Sequence, residues 1–155
     1  MFRRTEEQIN FFKRISKKGP FQIDFDFWYL CFLVGIASGR KEQGSSSVDM
    51  FPRFPERYSA FENVIISMLL SAELAAKEID PSDRTSVKLV VDDLIDPGSR
   101  PFLSSSGFKA FNEYSAGGYD IISEHFEQEA PDDAATFLIK IGMLIRDSFD
   151  KSMVW

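Results

Sequence analysis

Residues 25–41 read Phe25-Asp26-Phe27-Trp28-Tyr29-Leu30-Cys31-Phe32-Leu33-Val34-Gly35-Ile36-Ala37-Ser38-Gly39-Arg40-Lys41, and no charge falls between Phe27 and Ala37. Apolar side chains occupy nearly every helical face of this stretch, which predicts a helix buried all round rather than on one side. Asp24 or Asp26 is placed to cap its start and Gly39 to stop it. The uncharged run is about half of the ~20 residues a spanning helix needs, so it reads as a core helix and not a membrane anchor. Cys31, inside it, reads as a small buried hydrophobe.

Working outward, Thr5 is expected to cap a first helix that runs to about Lys17, with Ile9, Phe12 and Ile15 on one face and Gly19-Pro20 as its end. On the other side, residues 41–58 carry Gly44, Pro52 and Pro55 and read as one long loop. Met50, Phe51 and Phe54 are too apolar for a spacer, so this loop is either pinned to the core, the favoured reading, or presents a partner-binding surface. Ser59-Ala60-Phe61-Glu62 has capping-box spacing ahead of Val64, Ile65, Met68, Leu69, Ala72 and Ala76 at helical rhythm. Asp80-Pro81-Ser82-Asp83 starts the next helix, although β-branched residues leave a short strand open over residues 86–91. A serine-capped helix then carries Phe108, Phe111 and Tyr114. Gly117-Gly118 is expected to stop or kink it at a corner needing φ > 0 before Tyr119, Ile122 and Phe126. Pro131-Asp132-Asp133 launches a last helix through Phe137, Leu138, Ile141, Leu144 and Ile145. The expected fold is all-α: one compact domain over 1–155, six or seven helices around a central hydrophobic helix. Its first 18 residues form a basic amphipathic helix and residues 41–58 the long loop.

The composition removes most familiar chemistry. The chain has 155 residues, 44% hydrophobic and 27% charged, with one cysteine and one histidine. A disulfide framework, a Cys-rich zinc site and any motif that needs two histidines are therefore excluded. No nucleophile elbow, phosphate loop, dinucleotide fingerprint or HExxH pattern is present. Asp92, Asp93 and Asp96 could gather ligands for a hard cation, but a solvated helix end explains them as well. His125, beside Glu124 and near Glu129, reads as a solvated helix-face residue. The expectation is a protein that is not an enzyme and uses no cofactor and no metal. The charged start of the chain lacks the apolar core of a secretory signal, which predicts a cytoplasmic protein without membrane contact.

Charge is distributed unevenly. The first 18 residues hold six Lys/Arg and two Glu, whereas residues 92–133 hold ten acids against Arg100 and Lys109. Arg3, Arg4, Lys13, Arg14, Lys17 and Lys18 are therefore the candidate binding residues, facing an acidic partner protein. The same cations could track DNA phosphates without sequence preference, against the repulsion expected from a net charge of -6. A third reading is intramolecular, with the basic helix resting on the acidic stretch.

Three segments resemble the accessory proteins associated with bacterial Dnd (DNA phosphorothioation) gene clusters. The first is the aromatic-acid approach to the apolar helix and its close, Phe25 to Lys41; the second is the amphipathic helix from Phe61 to Ile79. The third, Phe111-Asn112-Glu113-Tyr114-Ser115-Ala116-Gly117-Gly118, looks like that family's F-x-E-Y-A-x-G-G segment with Ser115 where alanine is usual. The resemblance implies a non-enzymatic accessory subunit of an anti-phage or DNA-modification system, docking on partner proteins of that complex. It brings no catalytic residues; burial of the apolar helix, aromatic packing and the expected glycine corner independently cast Trp28, Phe111, Tyr114, Gly117 and Gly118 as structural.

Overall fold

The apolar stretch forms α2 (Asp24–Ser38) in the computed structural model, which describes residues 1–44 and 46–152. Asp26, the third residue of this helix, accepts hydrogen bonds from the backbone N–H of Gln22 (2.8 Å) and Ile23 (2.9 Å), so it and not Asp24 supplies the N-terminal acceptor. Gly39 ends the helix at φ +68°, in the left-handed region that glycine enters without a Cβ penalty.

Against α2 lies α5 (Ser105–His125), and these two make the most extensive pairing between elements. The expected glycine corner is absent: α5 is one continuous helix of 21 residues, and neither Gly117 nor Gly118 has a positive φ. The glycines instead let two backbones touch. A Cβ on Gly118 would lie 1.7 Å from the carbonyl oxygen of Cys31, one on Gly35 1.9 Å from that of Tyr114, and one on Gly117 2.2 Å from that of Arg40.

The paired helices divide the interior into two clusters. Phe25, Trp28 and Phe32 of α2 and Phe111 and Tyr114 of α5 enter one; Phe27 and Cys31 of α2 and Ile122 of α5 enter the other. Burial of α2 is not complete all round, since Leu33, Val34 and Ile36 keep part of their surface. The open side meets α3 (Glu62–Ala76) along a groove lined by Leu33, Ile36, Val64 and Met68.

The all-α expectation is corrected at the N-terminus and in the long loop. Phe2–Thr5 is a strand, β1, paired antiparallel with β2 (Ser47–Phe51), which lies inside the segment expected to be irregular. Strict alternation does not describe β1: Phe2 and Thr5, three residues apart, are both buried, and the pairing register shifts between Phe2 and Arg3. Thr5 also caps a helix through a reciprocal capping box with Gln8. That helix, α1 (Glu6–Phe12), is shorter than expected and passes into a 3-10 turn, Lys13–Ile15, before Lys17 adopts φ +61°. The basic segment within 1–18 is thus strand, short helix and turn. Phe54 is 4% exposed and Met50 and Phe51 pack on the first cluster, so the 41–58 segment is pinned to the core.

Of the remaining elements, α3 follows a 3-10 turn, Glu56–Phe61, in which Ser59 donates to the Glu56 carbonyl (2.7 Å) instead of capping the helix. The helical stretch Glu56–Ala76 is long and apolar enough, by length and composition, to cross a membrane. Asp83 caps α4 (Arg84–Leu94), which is helical throughout residues 86–91. Asp133 accepts from the Thr136 N–H (2.8 Å) at the start of α6 (Ala134–Ser152). The described residues therefore form six α-helices and a two-stranded sheet.

Candidate functional site

The six candidate cations do not form one basic face. Arg3 lies opposite Asp49 in the β1–β2 register, with Nε 2.8 Å from the carboxylate. Arg4 reaches Asp24 at the start of α2, Nη2 to Oδ2 2.9 Å. Arg14 pairs with Asp132, within the acidic stretch. Lys18 stands close enough to Asp133 to help hold its carboxyl below the ordinary range, after the hydrogen bonds from Thr136 that do most of this. The intramolecular reading thus describes Arg14, through an exposed pair with Asp132, whereas Lys18 acts on Asp133 only as a nearby charge and has no ion pair among the described residues. Lys13 and Lys17 are exposed and have no ion pair among the described residues.

Between α1 and α2 is a cleft of about 180 Å³. Ile9, Phe12, Phe27 and Trp28 wall it, while Arg4, Lys13, Ser16 and Asp24 stand at its polar border. Its polar neighbours are partly committed: Gln8 receives the Thr5 N–H (2.7 Å) and donates to Ser115 (3.2 Å), and the Trp28 indole N–H donates to the Arg3 carbonyl (2.9 Å). The Nε of Arg4 is buried with no hydrogen-bond partner.

The segment from Phe111 to Gly118 acts as a packing device. Phe111 fills the first cluster; Asn112 accepts from the Arg3 N–H (2.9 Å) and donates to the Met1 carbonyl (3.1 Å), holding β1. Ser115, in the place of the resemblance's alanine, donates to the Trp28 carbonyl (3.1 Å). Burial, and then the neighbouring Glu73 carboxylate, push the Tyr114 hydroxyl well above the usual tyrosine range. Arg40, which ends the apolar stretch with Lys41, has Nη1 3.1 Å from Glu124 and Nη2 3.5 Å from Asp120.

Sequence reasoning missed Glu73. It is 3% exposed on α3, meets Lys41 through Oε1, and has Lys77 3.6 Å from Oε2. Burial raises its carboxyl, but the hydrogen bonds from Lys41 and Tyr114 and the charges of Lys41 and Lys77 outweigh this and leave it below the ordinary range. A folded-state shift downward gives stability that is present above the unfolded value and lost as pH falls through the folded one. Lys41→Met is expected to cost about 1–2 kcal/mol at pH 7. In urea melts this deficit should shrink as pH falls below the ordinary carboxylate range and through the lowered folded value, where Glu73 becomes protonated in the parent too; a pH-independent deficit contradicts the assignment. The missed signal was a lone acid within Leu69-Leu70-Ser71-Ala72-Glu73-Leu74-Ala75, as Asp26 was within its aromatics.

The other chemical candidates resolve into structure. Cys31 is fully buried and its thiol is pushed up to about 12 by desolvation, far from a reactive thiolate. Asp92 pairs with Lys88, and Asp96 accepts from the Gly98 N–H (2.9 Å) in a turn. His125 Nε2 is 3.2 Å from the Lys140 carbonyl. Among the described residues no group of three or more His, Cys, Asp or Glu could hold a metal ion. Comparison with family models, with curated proteins and with solved structures finds no match for this chain.

Proposed function

We propose that the chain is a non-enzymatic, cytoplasmic accessory subunit that docks on an acidic partner protein of a DNA-modification or anti-phage assembly. The observation that carries docking is Lys13, exposed on the border of an aromatic-walled cleft and without an ion pair among the described residues, with Lys17 exposed and likewise unpaired four residues on, in a chain of net charge -6. Unpaired cations beside apolar surface favour a protein partner, because the apolar part gives affinity and the charges give orientation. The resemblance to Dnd-associated accessory proteins supports the kind of assembly.

A nucleic-acid partner fits less well. Arg3, Arg4 and Arg14 are already held by carboxylates, so few cations remain to displace phosphate counterions. The experiment is the double variant Lys13→Glu/Lys17→Glu, compared with the parent by pull-down from the native host, thermal melting and DNA mobility shift at two salt concentrations. Loss of an acidic partner with an unchanged melting temperature is the expected result. Retention of that partner refutes the reading. DNA binding whose logarithm falls with log salt at a slope of about −2, abolished by the same variant, would install DNA in its place.

A further inference from the structure

We propose that the cleft between α1 and α2 receives one apolar side chain from an acidic segment of the partner, an inference that rests on the docking reading above. Size selects this occupant. At about 180 Å³ the cleft is smaller than the ~300–1,000 Å³ of small-molecule pockets and close to the ~150 Å³ that holds one benzene ring. It suits a single anchoring side chain of the sort that dominates protein interfaces.

Charge selects what flanks that anchor. Phe12, Phe27 and Trp28, each at most 5% exposed, form a preorganised apolar wall whose rings need not be ordered on binding. The border carries Arg4, Lys13 and Asp24, and Asp24 pairs with Arg4, while Lys13 has no ion pair among the described residues. The buried Nε of Arg4 still lacks an acceptor. A carboxylate beside the inserted side chain gives Lys13 a counter-charge, whereas a basic segment would face Lys13 unpaired.

The test uses the full ¹⁵N-labelled chain and three blocked pentapeptides, DEFED, DEAED and KKFKK, read by chemical-shift changes. DEFED should shift the Trp28 indole N–H and the Ile9 and Phe12 amides. DEAED should bind at least roughly tenfold more weakly, and KKFKK should leave these signals in place. Ser16→Trp, which fills the mouth of the cleft, should abolish the DEFED shifts while leaving the melting temperature within about 2 °C. Lys13→Glu should weaken DEFED without touching the fold. Absent shifts, or shifts as large with DEAED or KKFKK, overturn the inference. The two proposals separate in the host pull-down: a partner lost by Lys13→Glu/Lys17→Glu but kept by Ser16→Trp refutes the cleft and leaves docking standing. A partner kept by both refutes docking itself.

Discussion

Gly118→Ala and Gly35→Ala should each remove about 4 kcal/mol or more of stability, enough to leave little folded protein from a domain whose total is ~5–15 kcal/mol. Helix propensity alone predicts the opposite sign, because alanine in a helix interior is worth about 1 kcal/mol more than glycine. Geometry decides. The new methyl groups would meet backbone carbonyl oxygens, at 1.7 Å for Gly118 and 1.9 Å for Gly35, and backbone cannot turn away as a flexible side chain can. Relief requires parting α2 from α5, which would open both aromatic clusters. Gly142 supplies the control: it is an exposed position of α6 with nothing within 4 Å of its would-be Cβ, so Gly142→Ala should stabilise by about 0.5–1 kcal/mol. Urea denaturation of the three variants checks the set. If Gly118→Ala and Gly35→Ala unfold like Gly142→Ala, close approach of the helix backbones is wrong.

The glycine pair shows what can be read along a chain and what cannot. Composition marks Gly117-Gly118 as special, but a positive φ and a close approach by another helix look alike in a single sequence; the second depends on Cys31 and Gly35, some eighty residues away. Local signals were legible for the same reason that this one was not. Thr5, Gly39 and Asp83 satisfy backbone groups within a few residues of themselves, and each ends or begins an element as its spacing indicates. The two strands escaped because Phe2–Thr5 and Ser47–Phe51 are short and owe their form to each other across some forty residues of chain. Of the candidate site, the lysines were legible by count. The use of the arginines was not, because Asp24, Asp49 and Asp132 approach them only in three dimensions.

Phe2→Ala should cost about 3–5 kcal/mol, a large effect for the second residue of a chain whose opening reads as charged. The ring is fully buried, with five aromatic neighbours: Trp28 and Phe54 at 4.9 Å, Phe108 at 5.1 Å, Phe25 at 5.3 Å and Phe111 at 5.7 Å between centroids, all in edge-on arrangements that the ring quadrupole favours. Removing it leaves a cavity bounded by residues from α2, α5 and the 41–58 segment, elements too firmly packed to close over it. Phe2→Leu should cost less than half as much, because it keeps most of the volume while losing the edge-on contacts. The consequence reaches the candidate site, since β1 carries Arg3 and Arg4, and the Arg3 carbonyl receives the Trp28 indole N–H on the wall of the cleft. Phe2→Ala should therefore weaken DEFED binding as well as lower the melting temperature, whereas Arg3→Ala, which cuts only an exposed pair, should change stability by no more than about 0.5 kcal/mol. A Phe2→Ala variant that melts within about 2 °C of the parent would mean that β1 does not anchor the first aromatic cluster.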